Sequence, residues 1–354
     1  MNKKNFFYLL FLISFNLIAQ DDNPEIIVIS DTESETNREA MKLYNAGIKN
    51  FQSKNYADAV GNYSGAINLV DSFVKAYYNR GMAKYELKDF SGASADFTKT
   101  IELTPGSDIA FFRRGECFLA LKKKPEAMSD FDRAISINPG EAKYFYNRGV
   151  VNFENQQYKL AIEDFSKTVI LDDNHAYAYN DRGSAKRNMD DYDGAISDYN
   201  KAIKINPSLA FVYNNSGSAK KRKGDFQGAI GEYNQAIRMK SDYYIAINNR
   251  GSAKFEMGDF QGAINDFTEA LKINPKYAFA FNNRATAKYK MKDYKGAVED
   301  CNKAIGLDPN YGYAFLNRGI AKEMLRDPEG ACSDWQKAST LGVTNAGSYT
   351  KDCK

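Results

Sequence analysis

A period of 34 residues runs through this chain without an insertion. Gly47, Gly81, Gly115, Gly149, Gly183, Gly217, Gly251, Ala285 and Gly319 fall at that spacing. Twelve residues after each stands an alanine, from Ala59 to Ala331. Four residues further comes an aromatic in eight of nine cases: Tyr63, Phe97, Phe131, Phe165, Tyr199, Tyr233, Phe267 and Trp335, with Cys301 the exception. An unbroken period of this length means one supersecondary unit stacked on copies of itself, because a single unit cannot bury its own apolar face.

Within one unit the pattern is helical. Ala263, Ile264, Phe267, Ala270 and Leu271 follow i, i+1, i+4, i+7, i+8 and make one apolar stripe. Gly258-Asp259 reads as the turn before that helix. Asn-Pro and Asp-Pro pairs close the second helix, since a residue before proline avoids the α region. Small residue at position 8, alanine at 20, aromatic at 24 and proline at 32 together resemble the tetratricopeptide repeat (TPR) family. The resemblance places nine repeats at 40–73, 74–107, 108–141, 142–175, 176–209, 210–243, 244–277, 278–311 and 312–345. It implies an all-α right-handed solenoid of helix–turn–helix units with a concave groove. Residues 346–354 are expected to begin a cap over Trp335 and Leu341.

The first 19 residues follow another logic. Lys3 and Lys4 precede an apolar run from Phe6 to Ile18, and Ala19 offers a small residue for cleavage. This resembles a bacterial secretory signal peptide, the run being too short to span a bilayer. No cysteine near residue 20 suggests a lipid anchor. Its removal lowers the net charge from +3 to +1, leaving no integral membrane segment and a periplasmic or secreted protein. Residues 20–39 are read as a flexible leader; the alternative is a strand over Ile26–Ile29 docking on a neighbour.

Composition narrows function. Lys+Arg 48 against Asp+Glu 45 gives no nucleic-acid footprint. His175, the single histidine, lies between repeats 4 and 5 and is expected to be solvated. No metal site, catalytic residue or cofactor is indicated, and no segment outside the repeats could form a catalytic domain. Lys122–Lys124 and Lys220–Lys223 read as solvated turn faces. Cys117 and Cys301 fill small-residue and aromatic slots and are expected to be buried. Cys332 and Cys353, on the last helix and in the cap, are expected to pair in an oxidising compartment.

The repeats can be compared with one another. Position 7 is Arg in the same seven units where position 23 is Asp, from Arg80 with Asp96 to Arg318 with Asp334; this points to an ion pair between the two helices of a unit. Position 6 is Asn at Asn45, Asn79, Asn147, Asn215, Asn249, Asn283 and Asn317, broken by Arg113 and Asp181. In the family this position lines the groove, and the resemblance implies a ladder that holds an extended peptide by its backbone. A side-chain amide suits that task, since it accepts from an N–H and donates to a carbonyl. Position 5 is Tyr44, Tyr78, Phe112 and Tyr146 in the first four repeats and Asn180, Asn214, Asn248 and Asn282 in the next four. The expected groove thus has an aromatic first half, with Tyr44, Tyr78 and Tyr146, and an amide-rich second half. The family's carboxylate clamp for a chaperone tail is not matched, because position 5 is never Lys. The expected function is a non-enzymatic scaffold of the cell envelope that binds an extended segment of a protein partner; the alternative is a glycan- or peptidoglycan-binding protein. The partner and the oligomeric state are not legible.

Overall fold

The computed structural model describes residues 25–29 and 33–353. The expected signal peptide lies outside them. Contacts divide the chain between residues 181 and 182 into two units. In the N-terminal unit the first helices of the repeats, the A helices, are α1 (Glu35–Gln52), α3 (Val74–Glu86), α5 (Asp108–Ala120) and α7 (Ala142–Glu154). The B helices are α2 (Tyr56–Leu69), α4 (Phe90–Leu103), α6 (Lys124–Ile137) and α8 (Tyr158–Leu171). Helix α9 (Ala176–Asn188) carries the division. In the C-terminal unit α11 (Ala210–Lys223), α13 (Tyr244–Glu256), α15 (Ala278–Lys290) and α17 (Gly312–Met324) are A helices. The B helices there are α10 (Tyr192–Ile205), α12 (Phe226–Met239), α14 (Phe260–Ile273), α16 (Tyr294–Leu307) and α18 (Pro328–Thr340). Helix α1 begins five residues before its repeat, so the expected leader is shorter than 20–39.

The small residue at position 8 is where helix A meets helix B. A Cβ added at Gly81 would sit 2.9 Å from the Phe97 ring, and one added at Gly217 would sit 2.7 Å from Tyr233. Repeat 8 carries Ala285 at that place, and its position 24 is the smaller Cys301; both are buried. The turn between helices repeats as well. Position 15 is left-handed in every unit, at Lys54, Lys88, Lys122, Gln156, Asp190, Gly224, Gly258, Lys292 and Arg326. In six units an aspartate next caps helix B by accepting from a glycine N–H, as Asp259 does from Gly262 at 2.8 Å.

The Arg–Asp pairs are formed in all seven units. Arg284 grips Asp300 through Nε at 2.8 Å and Nη2 at 2.7 Å, while Nη1 reaches Thr268 on the preceding B helix at 3.0 Å. Each arginine therefore joins a unit internally and, where Nη1 finds such a partner, to the unit before it. In five repeats a lysine at position 11 takes the second face of the carboxylate, as Lys288 does at 2.8 Å. Repeat 4 has Asn152 there instead, and burial pushes the Asp164 carboxyl up.

Within the C-terminal unit successive A helices touch, α11 with α13, α13 with α15 and α15 with α17, while no two successive B helices pack to the same extent. The A layer is therefore the tighter one, the side on which this unit is concave. Its far end is closed by α19 (Ala346–Tyr349), whose Tyr349 ring lies 5.2 Å from that of Trp335. A disulfide joins Cys332 to Cys353 there.

Candidate functional site

The position-6 asparagines of α13, α15 and α17 form one row. Asn249 donates from Nδ2 to Oδ1 of Asn214 at 2.9 Å, Asn283 to Asn248 at 3.1 Å and Asn317 to Asn282 at 2.8 Å. Each acceptor is the position-5 asparagine of the preceding repeat. Asn214, Asn248 and Asn282 are buried, as is Asn180, so position 5 is an inner tier that orients the row and not part of the surface. One N–H of each outer amide is thereby committed, and Asn317 sets its second against Thr286 at 3.3 Å. The Oδ1 of each outer amide has no partner among the described residues and stays open to solvent. The row therefore offers its Oδ1 atoms as acceptors, while Asn249 and Asn283 each keep one N–H beyond the bond to the preceding repeat. Helices pack roughly 8–10 Å apart and an extended chain advances about 3.3 Å per residue, so the row meets about every third residue of an extended chain.

Beside the row runs a chain of rings that sequence reasoning missed. Tyr244 and Tyr277 have centroids 5.0 Å apart, Tyr277 and Phe279 5.7 Å, and Phe279 and Tyr311 5.0 Å. The Asn282 amide sits beside the Tyr311 hydroxyl, linking rings to row. Phe279 is 39% exposed. Burial pushes the Tyr243 hydroxyl up to about 12 and raises Tyr277 and Tyr311 as well. The signal was an aromatic at the last position of repeats 6, 7 and 8. Nearby, Lys221 donates to Ser252 at 3.0 Å, and burial followed by the Arg222 charge lowers its ammonium to about 8. The lysine run 220–223 is therefore not a wholly solvated face.

In the N-terminal unit the position-5 rings pack against the core, Tyr44 and Phe112 buried and Tyr78 and Tyr146 half-buried. Tyr44 is 1% exposed, with its ring 5.0 Å from Phe73 and 5.7 Å from Tyr63. Tyr78 lies 5.5 Å from Phe97, and Tyr146 5.8 Å from Phe165. Position 5 points at the aromatic of position 24, and Tyr44, expected in the groove, is buried and has no surface for a sugar or peptide. Asn79 is also buried and donates to the Tyr44 hydroxyl at 2.7 Å. Asn147 turns back to the Lys143 carbonyl at 2.9 Å. Asn215, in the other unit, is buried.

Where the ladder breaks, charges replace amides. Arg113 and Glu116 form a buried ion pair at 2.8 Å. Asp181 accepts from the Tyr146 hydroxyl at 2.9 Å and from Asn180 at 2.9 Å, yet burial outweighs both and raises its carboxyl to about 6. His175 is not solvated as expected. Its ring lies 4.6 Å from that of Tyr146, its Nδ1 accepts from the Ala178 N–H at 3.1 Å, and burial lowers its pKa. Cys117 and Cys301 are buried thiols pushed up to about 12, too high to react as thiolates.

Asn45 differs from every other member of the ladder. It accepts from the Ile27 N–H at 2.9 Å and donates to the Ile27 carbonyl at 2.8 Å. Ile27 is thereby held against α1, in a segment read from sequence as a flexible leader or, alternatively, a docking strand. No cluster of His, Cys, Asp and Glu that could hold a metal ion occurs among the described residues. None of the described helices is long and apolar enough to cross a membrane.

Family models described as tetratricopeptide repeat match residues 176–209, 244–277 and 278–311, residues 78–142, and residues 212–243, together more than half of the chain. No curated protein matches the sequence. Among solved structures, the C-terminal part of a TPR repeat-containing protein from Cytophaga hutchinsonii aligns at TM-score 0.58 and 16% identity, covering 68% of this chain and 98% of that one. A tetratricopeptide repeat protein from Parabacteroides merdae aligns at 0.56 and 18% identity, covering 73% and 99%. YrrB, described as a TPR protein with an unusual peptide-binding site, aligns at 0.48 and 23% identity, covering 52% and 95%. At 16% and 18% identity the likeness to the first two shows the fold alone.

Proposed function

The chain belongs to the tetratricopeptide repeat family, and from that premise we propose that it is a non-catalytic scaffold that binds an extended segment of a protein partner along α13, α15 and α17. Repeat proteins of this kind present long surfaces to protein partners. The observation that carries the reading is the row of Asn249, Asn283 and Asn317, each with one N–H held by the preceding repeat and its acceptor open. Three carbonyl-type acceptors at even spacing suit the N–H groups of an extended backbone and are indifferent to side chains. Specificity then falls to the rings of Tyr244, Tyr277, Phe279 and Tyr311, with Phe279 the most accessible. We place the protein in the cell envelope: residues 1–19 have the composition of an export signal, and the Cys332–Cys353 bond suits an oxidising compartment.

A random peptide library panned on the whole chain tests this. Peptides recovered on the unaltered chain should be lost on a folded variant with Asn249, Asn283 and Asn317 all changed to Ala, and weakened by Phe279→Ala. Peptides that bind both proteins equally would place the site elsewhere and end this assignment.

A further inference from the structure

The contact between Asn45 and Ile27 has a counterpart in every repeat of the C-terminal row, and the comparison gives it meaning. There, Nδ2 of the position-6 amide is held by the position-5 side chain of the repeat before it. Asn45 belongs to the first of the nine repeats, and no position-5 side chain among the described residues supplies that acceptor. The Ile27 carbonyl does so instead, and the Ile27 N–H occupies the Oδ1 that stands open on Asn249, Asn283 and Asn317. One side chain thus grips both backbone groups of a single residue, as a neighbouring strand would.

The side chains of the segment follow the same strand logic. Ile27 and Ile29 are half-buried, whereas Ile26 is 54% and Val28 90% exposed. Alternate residues therefore face the repeat. Ile27 packs against the cluster built on Tyr44, Ile48 and Tyr63, with Leu43 and Phe73 beside it. Backbone and shape together describe the recognition. Such a contact specifies an extended backbone and two β-branched side chains, and nothing in it requires that the segment be covalently joined to α1.

We propose that Asn45 and the apolar surface beside it are a strand-binding site, with residues 25–29 as a resident and replaceable occupant. The foreign ligand it accepts is an extended peptide carrying β-branched apolar residues at two positions separated by one residue, as Ile27 and Ile29 are. This site shares no residue with the row on α13, α15 and α17, so either can fail without the other. A tethered segment competes at an effective concentration of about millimolar. It holds the site against weak peptides and yields to a tighter or more abundant one.

The test uses a fluorescent synthetic peptide of residues 24–30, titrated by polarisation onto three forms of the full chain. These are the unaltered chain, the variant Ile27→Asp/Ile29→Asp, and that variant with Asn45→Ala added. Removing the tethered competitor should tighten binding at least about tenfold, and Asn45→Ala should abolish the gain. A peptide with Asp at the two isoleucine positions should not bind, while one with Val there should bind within a few-fold. Equal affinity for the first two proteins overturns the proposal. So does equal affinity for the second and third. Hydrogen exchange of α1 separates a site from a fixed cap. If the double variant loses protection in α1 and added peptide does not restore it, the segment is part of the fold and the proposal fails. Added peptide restoring protection supports it.

Discussion

The two units share one skeleton and differ in what stands behind position 6. In the N-terminal unit the neighbour is an aromatic ring, and the ring packs against the core. In the C-terminal unit it is a buried amide, which holds the next repeat's amide in place and leaves an acceptor facing out. Same positions, same helices and same Arg–Asp staples therefore produce a packed inner tier in one unit and a polar, oriented one in the other. Position on a helix decides which way a side chain points; the residue type decides whether that direction ends in core or at a surface. A polar inner tier is less stabilising than an apolar one, and its recurrence in three successive repeats is what favours the binding surface proposed above.

Substitution at position 5 tests this most directly. Tyr44→Ala opens a cavity in a filled core and should cost about 3–5 kcal/mol. Asn248→Ala removes a hydrogen bond whose donor, on Asn283, lies near solvent, and should cost only about 1–2 kcal/mol. Stacked repeats open locally, so the measurement is hydrogen exchange of α1 and α2 in the first case and α13 and α14 in the second. The difference corresponds to about one to two decades in protection. Equal losses would mean that the inner tiers are equivalent and that the contrast between units has no energetic content.

The joint between helices A and B offers a second comparison, because repeat 8 closes it differently from the other repeats. Gly81 makes room for Phe97, whereas Ala285 faces Cys301. Cys301→Phe alone should overpack repeat 8 by about 1–3 kcal/mol. Adding Ala285→Gly should recover most of that, giving a coupling of about 1 kcal/mol or more. Additive effects would show that the two exceptions in repeat 8 are unrelated. Much of this was legible in advance, since nine repeats in one chain act as their own comparison: the period, the helix pairs and the Arg–Asp staples all followed from it. What was not legible depended on contacts across elements. The lysine at position 11 recurs in six of nine repeats, yet the period alone does not say that it meets the carboxylate already held by the arginine. The depth of Tyr44 depends on Phe73, at the end of the repeat. Ile27 lies in a segment without periodicity, and Asn45 looks in sequence like any other member of the ladder.

Asp181 is the smallest of these tests and the one with a sign. It occupies position 6 of repeat 5, where the ladder would have asparagine, and its carboxyl is raised to about 6 in the folded chain, against about 3.9 unfolded. Between those values the folded protein keeps a proton that the unfolded chain has released. The stability tied to this group is therefore fully present below about pH 4, falls as pH rises to 6, and stays lost above it. Asp181→Asn cannot ionise and still offers Oδ1 to the Tyr146 hydroxyl. Its advantage over the unaltered chain should thus increase between pH 4 and pH 6 and level off near 1–2 kcal/mol, roughly, given that the site is partly exposed. His175 works in the opposite sense. Its lowered pKa removes stability as pH falls below about 6.5, the unfolded value, but it is present in both proteins and cancels in the difference. Hydrogen exchange of α7 and α8, measured on both chains from pH 4.5 to 7.5 and corrected for intrinsic rates, gives that difference directly. A pH-independent gap would mean that Asp181 is hydrated enough to ionise normally, and that the ladder breaks at repeat 5 without a buried charge.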